Sequence, residues 1–271
     1  MSDTKKKEYE MLVAEVQDCT ECDKHKKEIK KEPVILEHDT KRRKINLWAE
    51  WQGSLDADIL LIGQDWGRLA DKDNRLIGEC FARDVEKKID SKKIYYGYIE
   101  EESYTNSHLA ELFKELDICV EKEDPRLFFT NSVLCYKTGS LSNPVNEEWF
   151  RECNKKHMYR LIHIIRPKVI ITVGKIALLS LGDCLNFKGF FKPGELENPL
   201  GKSYFKSFNK VLDNGAIYIL LDGIGFIPVC PVSHTGTLAT NLNRNKDEQL
   251  KDWQKINALY KSILKEEQCN N

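Results

Sequence analysis

LFFTNSVLC, residues 127–135, is an apolar run that is interrupted by three polar residues and is followed by a cysteine. A short apolar run of this kind predicts a buried strand. Asn131 is the middle polar residue, and Cys135 follows four residues later. The stretch therefore predicts a core strand that delivers a polar side chain and a thiol on one segment.

Four cysteines frame the chain: Cys19 and Cys22 form a C-x-x-C pair, and Cys135 and Cys153 are single. A close pair with two distant thiols predicts one buried metal centre. Zinc, or simple burial, would account for the same pattern, because free cysteine is often a core residue. The remaining cysteines are interpreted as core thiols: Cys80, Cys119, Cys184, Cys230 and Cys269.

The composition predicts a soluble, cytoplasmic protein. Of its 271 residues 41% are hydrophobic, enough for a sizeable core without disulfides. Nine cysteines, an odd number, and the lack of an apolar leader behind the lysine-rich start predict a reducing compartment. The longest uncharged stretch, residues 223–243, is interrupted by Gly, Pro, Thr and Asn and is a poor membrane span. A formal charge of −1, from 42 basic and 43 acidic residues, restricts any nucleic-acid contact to a local patch.

Apolar runs alternate with segments of helical spacing. Four runs predict buried strands: residues 58–63, 127–134, 168–174 and 226–232. A fifth, residues 216–221, is predicted to pair with the last through a turn at 222–223. The clearest helix stops at Pro167, and its apolar face consists of Trp149, Cys153, Met158, Leu161, Ile162 and Ile165. This alternation predicts an α/β fold with a mainly parallel sheet.

The residues that follow these strands are candidates for chemistry, because parallel sheets bind ligands beyond the carboxyl ends of their strands. GQDWG, residues 63–67, follows the first strand, and Asn131 lies within the second. SHTGTL, residues 233–238, follows the last. We expect these segments to converge on one rim of the sheet.

The motifs, in this order, resemble those of the uracil-DNA glycosylase superfamily, and specifically its iron–sulfur branch, family 4. That branch has C-x-x-C, G-E-x-P-G, Y-I-T-N-x-V-K-C, E-x-C, P-K-x-I-x-x-L-G and a closing H-P-S-x-L-L-R. This chain has CTEC (19–22), GQDWG (63–67), FFTNSVLC (128–135), EC (152–153), RPKVIITVG (166–174) and HTGTL (234–238). The resemblance implies one domain over residues 1–271, a three-layer α/β/α fold with a central, mainly parallel four-stranded sheet.

The resemblance also implies a cofactor. By similarity to the family, Cys19, Cys22, Cys135 and Cys153 would bind a 4Fe–4S cluster, which is favoured over zinc. The cluster would tie an N-terminal arm of about residues 1–50 to the sheet, as a structural support for the pocket. The highly charged segment 68–107 is interpreted as an insertion.

Three side chains are candidates for the chemistry of a DNA glycosylase. Asp65 would support oxocarbenium-like charge on the sugar and position water. His234 and Asn131 match family residues: the histidine would donate to the departing base, and the asparagine would read a pyrimidine edge with its donor and acceptor. Taken singly, such residues are more often a cap, a loop histidine and a strand-end hydrogen bond. Taken together, on three strand ends beside the four cysteines, they favour a site. The rest of the substrate pocket would be lined by Gly63, Gln64, Trp66 and Gly67.

Leu238 matches the family leucine that wedges into the gap left by a flipped base. A buried loop leucine is an equal alternative. Two further motifs depart from the family: HTG at 234–236 replaces H-P-S, with Arg244 displaced from the trailing arginine position, and YKTG at 136–139 replaces R-P-P. Both departures concern contacts with DNA.

The first motif is a hybrid that bears on the substrate. Gly63-Gln64-Asp65 resembles the G-Q-D-P-Y of family 1, so Asp65 supplies a carboxylate that family 4 usually lacks. Trp66 replaces a proline, and Gly67 stands where family 1 has the tyrosine that crowds the pyrimidine C5 position. Thymine or a larger modified pyrimidine therefore joins uracil among the candidate bases.

The sequence thus predicts a DNA glycosylase that acts on a base flipped out of DNA, in base-excision repair or in defence against modified phage DNA. Base flipping needs only one subunit, so a monomer is expected. The alternative is a non-catalytic DNA-binding module of the same fold. A cluster-bearing nucleotide-binding protein is disfavoured because the chain has no Gly-rich phosphate loop.

Overall fold

The computed structural model describes residues 3–21, 36–37, 53–64, 104–118, 124–134, 136–137, 147–184, 189–236, 240 and 244–270. The strands are β1 Leu36–Glu37, β2 Ile59–Gly63, β3 Leu127–Asn131, β4 Tyr136–Lys137, β5 Val169–Val173, β6 Phe190–Lys192, β7 Glu195–Pro199, β8 Ile217–Leu221 and β9 Gly225–Val232. The α-helices are α1 Asp3–Gln17, α2 Tyr104–Phe113, α3 Glu147–Cys153, α4 Tyr159–Ile165, α5 Lys175–Cys184, α6 Phe208–Asn214 and α7 Lys246–Asn270. Short 3-10 turns lie at Lys114–Leu116 and Lys202–Phe205.

Four parallel strands, in the order β3-β2-β5-β9, form the centre of the sheet and confirm the four predicted runs. All five residues of β2 are buried, as expected for a strand covered on both faces. Leu60 and Ile62 pack with α1, α4 and α5, whereas Ile59 and Leu61 pack with α2 and α7. Alternate residues of a strand point to opposite faces, so the helices form a layer on each side of the sheet.

The sheet is wider than the four strands predicted. β8 pairs antiparallel with β9, and Gly223 adopts a positive φ of 74° in the turn between them, which confirms the predicted hairpin. β6 and β7 continue the sheet in antiparallel fashion, giving seven strands. The prediction of four is wrong because β6 has only three residues and every residue of β7 is exposed, so neither strand leaves an apolar run in the sequence.

The helical face predicted before Pro167 is confirmed, since all six of its side chains are buried. The segment is not one α-helix, however, because Asn154–Met158 forms a π-helical turn between α3 and α4. Cys153 and Met158 are five residues apart, a spacing that suits an i→i+5 turn. Arg166 caps the C-terminus of α4, directly before Pro167. It has a φ of 56° and donates its N–H to the carbonyl of Ile162 at 2.7 Å.

Both ends of the described chain pack against the sheet. α1 contributes four buried side chains to the cluster that contains β2: Tyr9, Leu12, Val13 and Val16. On the other face, the Tyr260 hydroxyl of α7 donates to Asp58 at 2.7 Å, directly before β2. Lys168, directly before β5, pairs with Asp58 at 3.1 Å and with Glu267 of α7 at 2.6 Å. These polar contacts lie at the amino ends of the strands, opposite the predicted rim.

The predicted insertion, residues 68–107, overlaps α2, which begins at Tyr104. Residues 68–103 lie outside the described ranges. Among the helices that the structure describes, none is both long and apolar enough to cross a membrane.

A buried ion pair joins Arg244 to α7. Its guanidinium donates through Nε and Nη2 to the two carboxylate oxygens of Asp252, at 2.5 and 2.8 Å, and through Nη1 to Asp213 of α6 at 2.8 Å. Asp252 is 5% exposed and Arg244 is 9% exposed. The hydrogen-bonded carboxylates raise the pKa of the Arg244 guanidinium, although burial opposes the shift. Arg244, which lies just before α7, therefore links this part of the chain both to α6 and to α7.

Replacing Asp252 with Asn should destabilise the protein, because it leaves a buried guanidinium without its main counter-charge. Breaking such a pair typically costs about 3–5 kcal/mol, and we expect a value near the low end because Asp213 remains. Urea unfolding followed by circular dichroism would measure the change in the free energy of unfolding. Asp117→Asn is the matched control, since its pair with Lys261 at 3.4 Å is exposed and should contribute less than about 1 kcal/mol. Equal losses in the two variants would contradict the role given to Arg244.

Candidate active-site rim

The carboxyl ends of β2 and β3 are joined by hydrogen bonds that continue past the strands. Gly63 is in register with Asn131, and the Gly63 carbonyl accepts bonds from the Ser132 N–H at 2.9 Å and the Ser132 hydroxyl at 3.1 Å. The Val133 N–H then donates to the Gln64 carbonyl at 3.2 Å. These bonds hold the two exit segments side by side, so Asn131 and the start of the GQDWG motif share one part of the rim.

Asn131 lies directly against Gly63. A Cβ built on Gly63 would fall 2.2 Å from Asn131 Oδ1, far inside contact distance, while the Asn131 residue is only 3% exposed. Position 63 therefore requires glycine for close approach, and the missing side chain creates the space that the amide occupies. The glycine of the first motif and the predicted base-reading amide form one structural unit.

His234 follows β9, two strands away from β2. The Gly174 N–H at the end of β5 donates to the Val232 carbonyl at 2.8 Å, and a Cβ on Gly174 would come within 3.9 Å of the His234 Cβ. The Gly236 N–H donates to His234 Nδ1 at 2.9 Å. A ring nitrogen that accepts a backbone N–H carries no proton, so the neutral imidazole holds its proton on Nε2. His234 is exposed at the rim.

The chain beyond His234 is held by α7. Thr240 bonds the Gly236 carbonyl through its N–H at 3.0 Å and its hydroxyl at 3.1 Å. The Gln249 amide donates to the Thr240 hydroxyl at 3.2 Å and to the Arg244 carbonyl at 2.9 Å. With its guanidinium bound by Asp252 and Asp213, Arg244 acts here as part of the protein interior. Sequence reasoning missed this role because the partners are distant in sequence.

Two of the four framing cysteines lie in the described part of the chain. Cys19 follows α1, Cys153 ends α3, and both are buried. Burial raises the pKa of the Cys153 thiol to about 12, while the Leu134 N–H, which donates to Sγ at 3.4 Å, opposes the shift and the charge of Cys19 adds to it. The two thiols are therefore electrostatic neighbours, and Leu134 directly precedes Cys135 in the sequence.

These thiols suit a metal ion or cluster chemically. A bound metal stabilises thiolates that burial alone disfavours, and N–H···S hydrogen bonds are a usual feature of iron–sulfur sites. Within the described residues no group of three or more metal-binding side chains occurs. Cys22 and Cys135 lie outside those residues, so the predicted set of four remains a prediction.

The π-helical turn carries two buried polar side chains that the sequence analysis missed. Asn154 donates through Nδ2 to the carbonyls of Ser132, at 2.9 Å, and Phe150, at 2.6 Å. His157 is 1% exposed, and burial, followed by the charge of Lys156, lowers its pKa to about 4. In the sequence, both are polar residues that follow Cys153 within four positions and interrupt an apolar helical face. That interruption was the available signal.

Several other predicted site residues fall outside the part of the chain that the structure describes. Asp65, Trp66, Gly67 and Leu238 lie outside the described residues. Of the YKTG segment, Tyr136–Lys137 forms β4, which pairs antiparallel with β1, and residues 138–139 lie outside. The structure thus brings Gly63, Gln64 and Asn131 together and places His234 further along the same edge.

One comparison with known proteins identifies the family. The model of the Uracil DNA glycosylase superfamily matches residues 50–257, well over half of the chain. A comparison of the chain with curated proteins found no match. The matched region contains all four parallel strands and the rim, but it begins after the C-x-x-C pair and does not resolve the branch. With this match running through Gly63, Asn131 and His234, the chain belongs to the uracil-DNA glycosylase superfamily.

Proposed function

We propose that the protein is a DNA glycosylase that hydrolyses the N-glycosidic bond of uracil or a modified pyrimidine flipped out of DNA, leaving an abasic site. Membership of the superfamily, which typically consists of DNA glycosylases, supports the reaction class. The observation that carries the proposal furthest is the His234 ring, whose Nδ1 accepts the Gly236 N–H, so that the neutral ring carries its proton on Nε2. Such a donor stabilises charge on a departing base.

Base recognition would depend on Asn131. Its amide presents a donor and an acceptor to the Watson–Crick edge of a pyrimidine, and a flipped base is read through that edge. The contact with Gly63 and the bonds of Ser132 fix the backbone on which this amide is carried. Gln64, Trp66 and Gly67 would line the remainder of the pocket and determine whether a C5 substituent is admitted.

Bond cleavage would proceed with charge separation. The C1′–N1 bond breaks, its electron pair goes to the base, and His234 Nε2–H stabilises the resulting anion. The Asp65 carboxylate would face the electron-poor sugar and orient water, whose oxygen bonds to C1′ and whose released proton neutralises the base. Leu238 would fill the gap in the duplex.

Cys19, Cys22, Cys135 and Cys153 would hold the 4Fe–4S cluster, with zinc as the alternative. The cluster would supply structural cross-links and take no part in cleavage. Cys153 accepts the Leu134 N–H, and the adjacent Asn154 bonds Ser132, so this end of α3 contacts the exit of β3 at two points. A metal centre here would stabilise the segment that carries Asn131.

Purified protein should release the base from oligonucleotides that contain uracil, thymine mismatches or 5-modified pyrimidines, detected as alkali-labile abasic sites. His234→Ala should lower the single-turnover rate roughly 10²–10³-fold, as for the loss of one preorganised donor, and Asp65→Ala should also reduce it strongly. His163→Ala is the matched control. The His163 ring hydrogen-bonds the carbonyls of Tyr159 and Asp222, and it lies at the amino ends of the parallel strands, opposite the rim.

No abasic product from any of these substrates would reject the enzymatic proposal. DNA binding that survives Asp65→Ala without cleavage would instead support the non-catalytic DNA-binding module. A preference for uracil would favour base-excision repair, whereas selective release of a hypermodified base would favour defence against phage DNA.

Gly63→Ala should reduce activity with little change in stability. Its Cβ would fall on Asn131 Oδ1, the end of a side chain that can rotate away, so the cost is misplacement of the reading amide. An error of about 1 Å in a positioning group can reduce the rate roughly 10²-fold. Single-turnover rates and the melting temperature should be measured for this variant and for Gly201→Ala, whose added Cβ meets nothing closer than 3.9 Å. A fully active Gly63→Ala protein would exclude this arrangement of Asn131.

Anaerobically purified protein should contain about four iron and four sulfide per chain. Cys153→Ala should lose most of the iron and lower the melting temperature, because a ligand and a cross-link disappear. Cys230→Ala, which removes another buried thiol from β9, should retain the full iron content. Stoichiometric zinc, or the absence of iron and sulfide, would refute the cluster.

A further inference from the structure

His157 is a buried histidine whose two ring nitrogens find no hydrogen-bond partner among the described residues. It lies on the π-helical turn and is 1% exposed. Leaving a buried polar group unsatisfied typically costs about 1–3 kcal/mol, which a leucine at the same position would avoid. Buried polar groups of this kind usually indicate a ligand, an ion or a bound water.

The position of His157 points to the cysteine site. It follows Cys153 by four residues, and a π-helical turn takes more than four residues, so the two side chains lie on nearly the same face, one turn apart. Such turns occur frequently at functional sites. The chain after α1 lies against this turn, since Lys156 pairs with Glu21 at 3.4 Å.

The electrostatic influences on His157 agree with the Lys156–Glu21 contact. Glu15 and Glu21 both influence the ring, and these residues flank Cys19 in the sequence. Cys19 in turn influences Cys153. The imidazole is thus close to the segment that bears Cys19 and one turn from Cys153, in a region with two buried thiols.

Contacts among the residues that the structure describes leave both ring nitrogens of His157 without a hydrogen bond. Asn154 lies on the same turn, and its Oδ1 is also without a partner among the described residues, yet the two side chains do not bond to each other. The other neighbours supply charge at longer range and no hydrogen bond. An acceptor at the cysteine site would satisfy one of the ring nitrogens.

We propose that His157 donates an N–H···S hydrogen bond to the cluster at the site marked by Cys19 and Cys153. This inference rests on the proposed 4Fe–4S cluster and adds a residue that is not one of its ligands. A hydrogen bond to sulfur withdraws electron density, so it raises the reduction potential of the cluster. His157 is a residue that orients and tunes the site, separate from the chemistry at His234.

The test compares full-length, anaerobically purified wild type with His157→Leu and His157→Gln. Iron and sulfide are measured first, and the reduction potential is then determined by titration monitored by electron paramagnetic resonance. We expect full iron in all three proteins, a shift to more negative potential in His157→Leu, and a smaller shift in His157→Gln, which retains an N–H donor. His163→Leu, on the neighbouring helix α4, should leave the potential unchanged.

An iron-loaded His157→Leu protein with the wild-type potential would overturn the inference. Complete loss of iron in both variants would also overturn it, because it would make His157 a ligand. Wild-type protein without iron would refute the cluster itself, and the metal analysis separates that outcome from the others.

A second measurement does not depend on the variants folding. In wild-type protein with ¹⁵N-labelled histidine, pulsed electron paramagnetic resonance of the reduced cluster should show one weakly coupled nitrogen and an exchangeable proton. A strong nitrogen coupling would indicate direct ligation, and no coupling would indicate no contact. Either result would contradict the proposed hydrogen bond.

Discussion

The hydrogen-bonded ladder between β2 and β3 is the constraint on which the rim depends. It aligns Gly63 with Asn131 and continues past the strands through Ser132 and Val133. Because neither exit segment can shift without breaking several of these bonds, the backbone that carries Asn131 is held in place. The adjoining helix reinforces the same segment through Cys153 and Asn154. The main chain at this part of the rim is therefore fixed by the fold itself.

Much of the fold could be predicted from apolar runs, because the central strands are buried on both faces and leave an uninterrupted hydrophobic signal. β7 has no such signal, since its side chains are exposed and main-chain pairing with β6 creates it. The π-helical turn was hidden for another reason. Its apolar residues still lie on one side, and only the five-residue interval from Cys153 to Met158 distinguishes it from an α-helical turn.

Some features of the candidate site could likewise be predicted from the sequence, and others could not. Asn131 and His234 were identified because motifs mark them and because they follow strands. The tautomer of His234 could not be read from the sequence, since it depends on the direction of the Gly236 N–H. Arg244 looked like a displaced DNA-binding residue, and its true surroundings depend on carboxylates brought together only by folding. Asp65, Trp66, Gly67 and Leu238 remain predictions from motif position.

The ends of the chain show that the limits of a family and those of a stable fold need not coincide. The matched region starts at residue 50 and stops at 257, yet α1 seals an apolar face of the sheet and Tyr260 binds Asp58 beyond the other limit. A fragment trimmed to the matched residues would expose the surface beneath α1 and leave Asp58 without its tyrosine partner. The family match and the packed core therefore cover different lengths of this polypeptide, because the helices that flank the matched region bury part of its apolar surface.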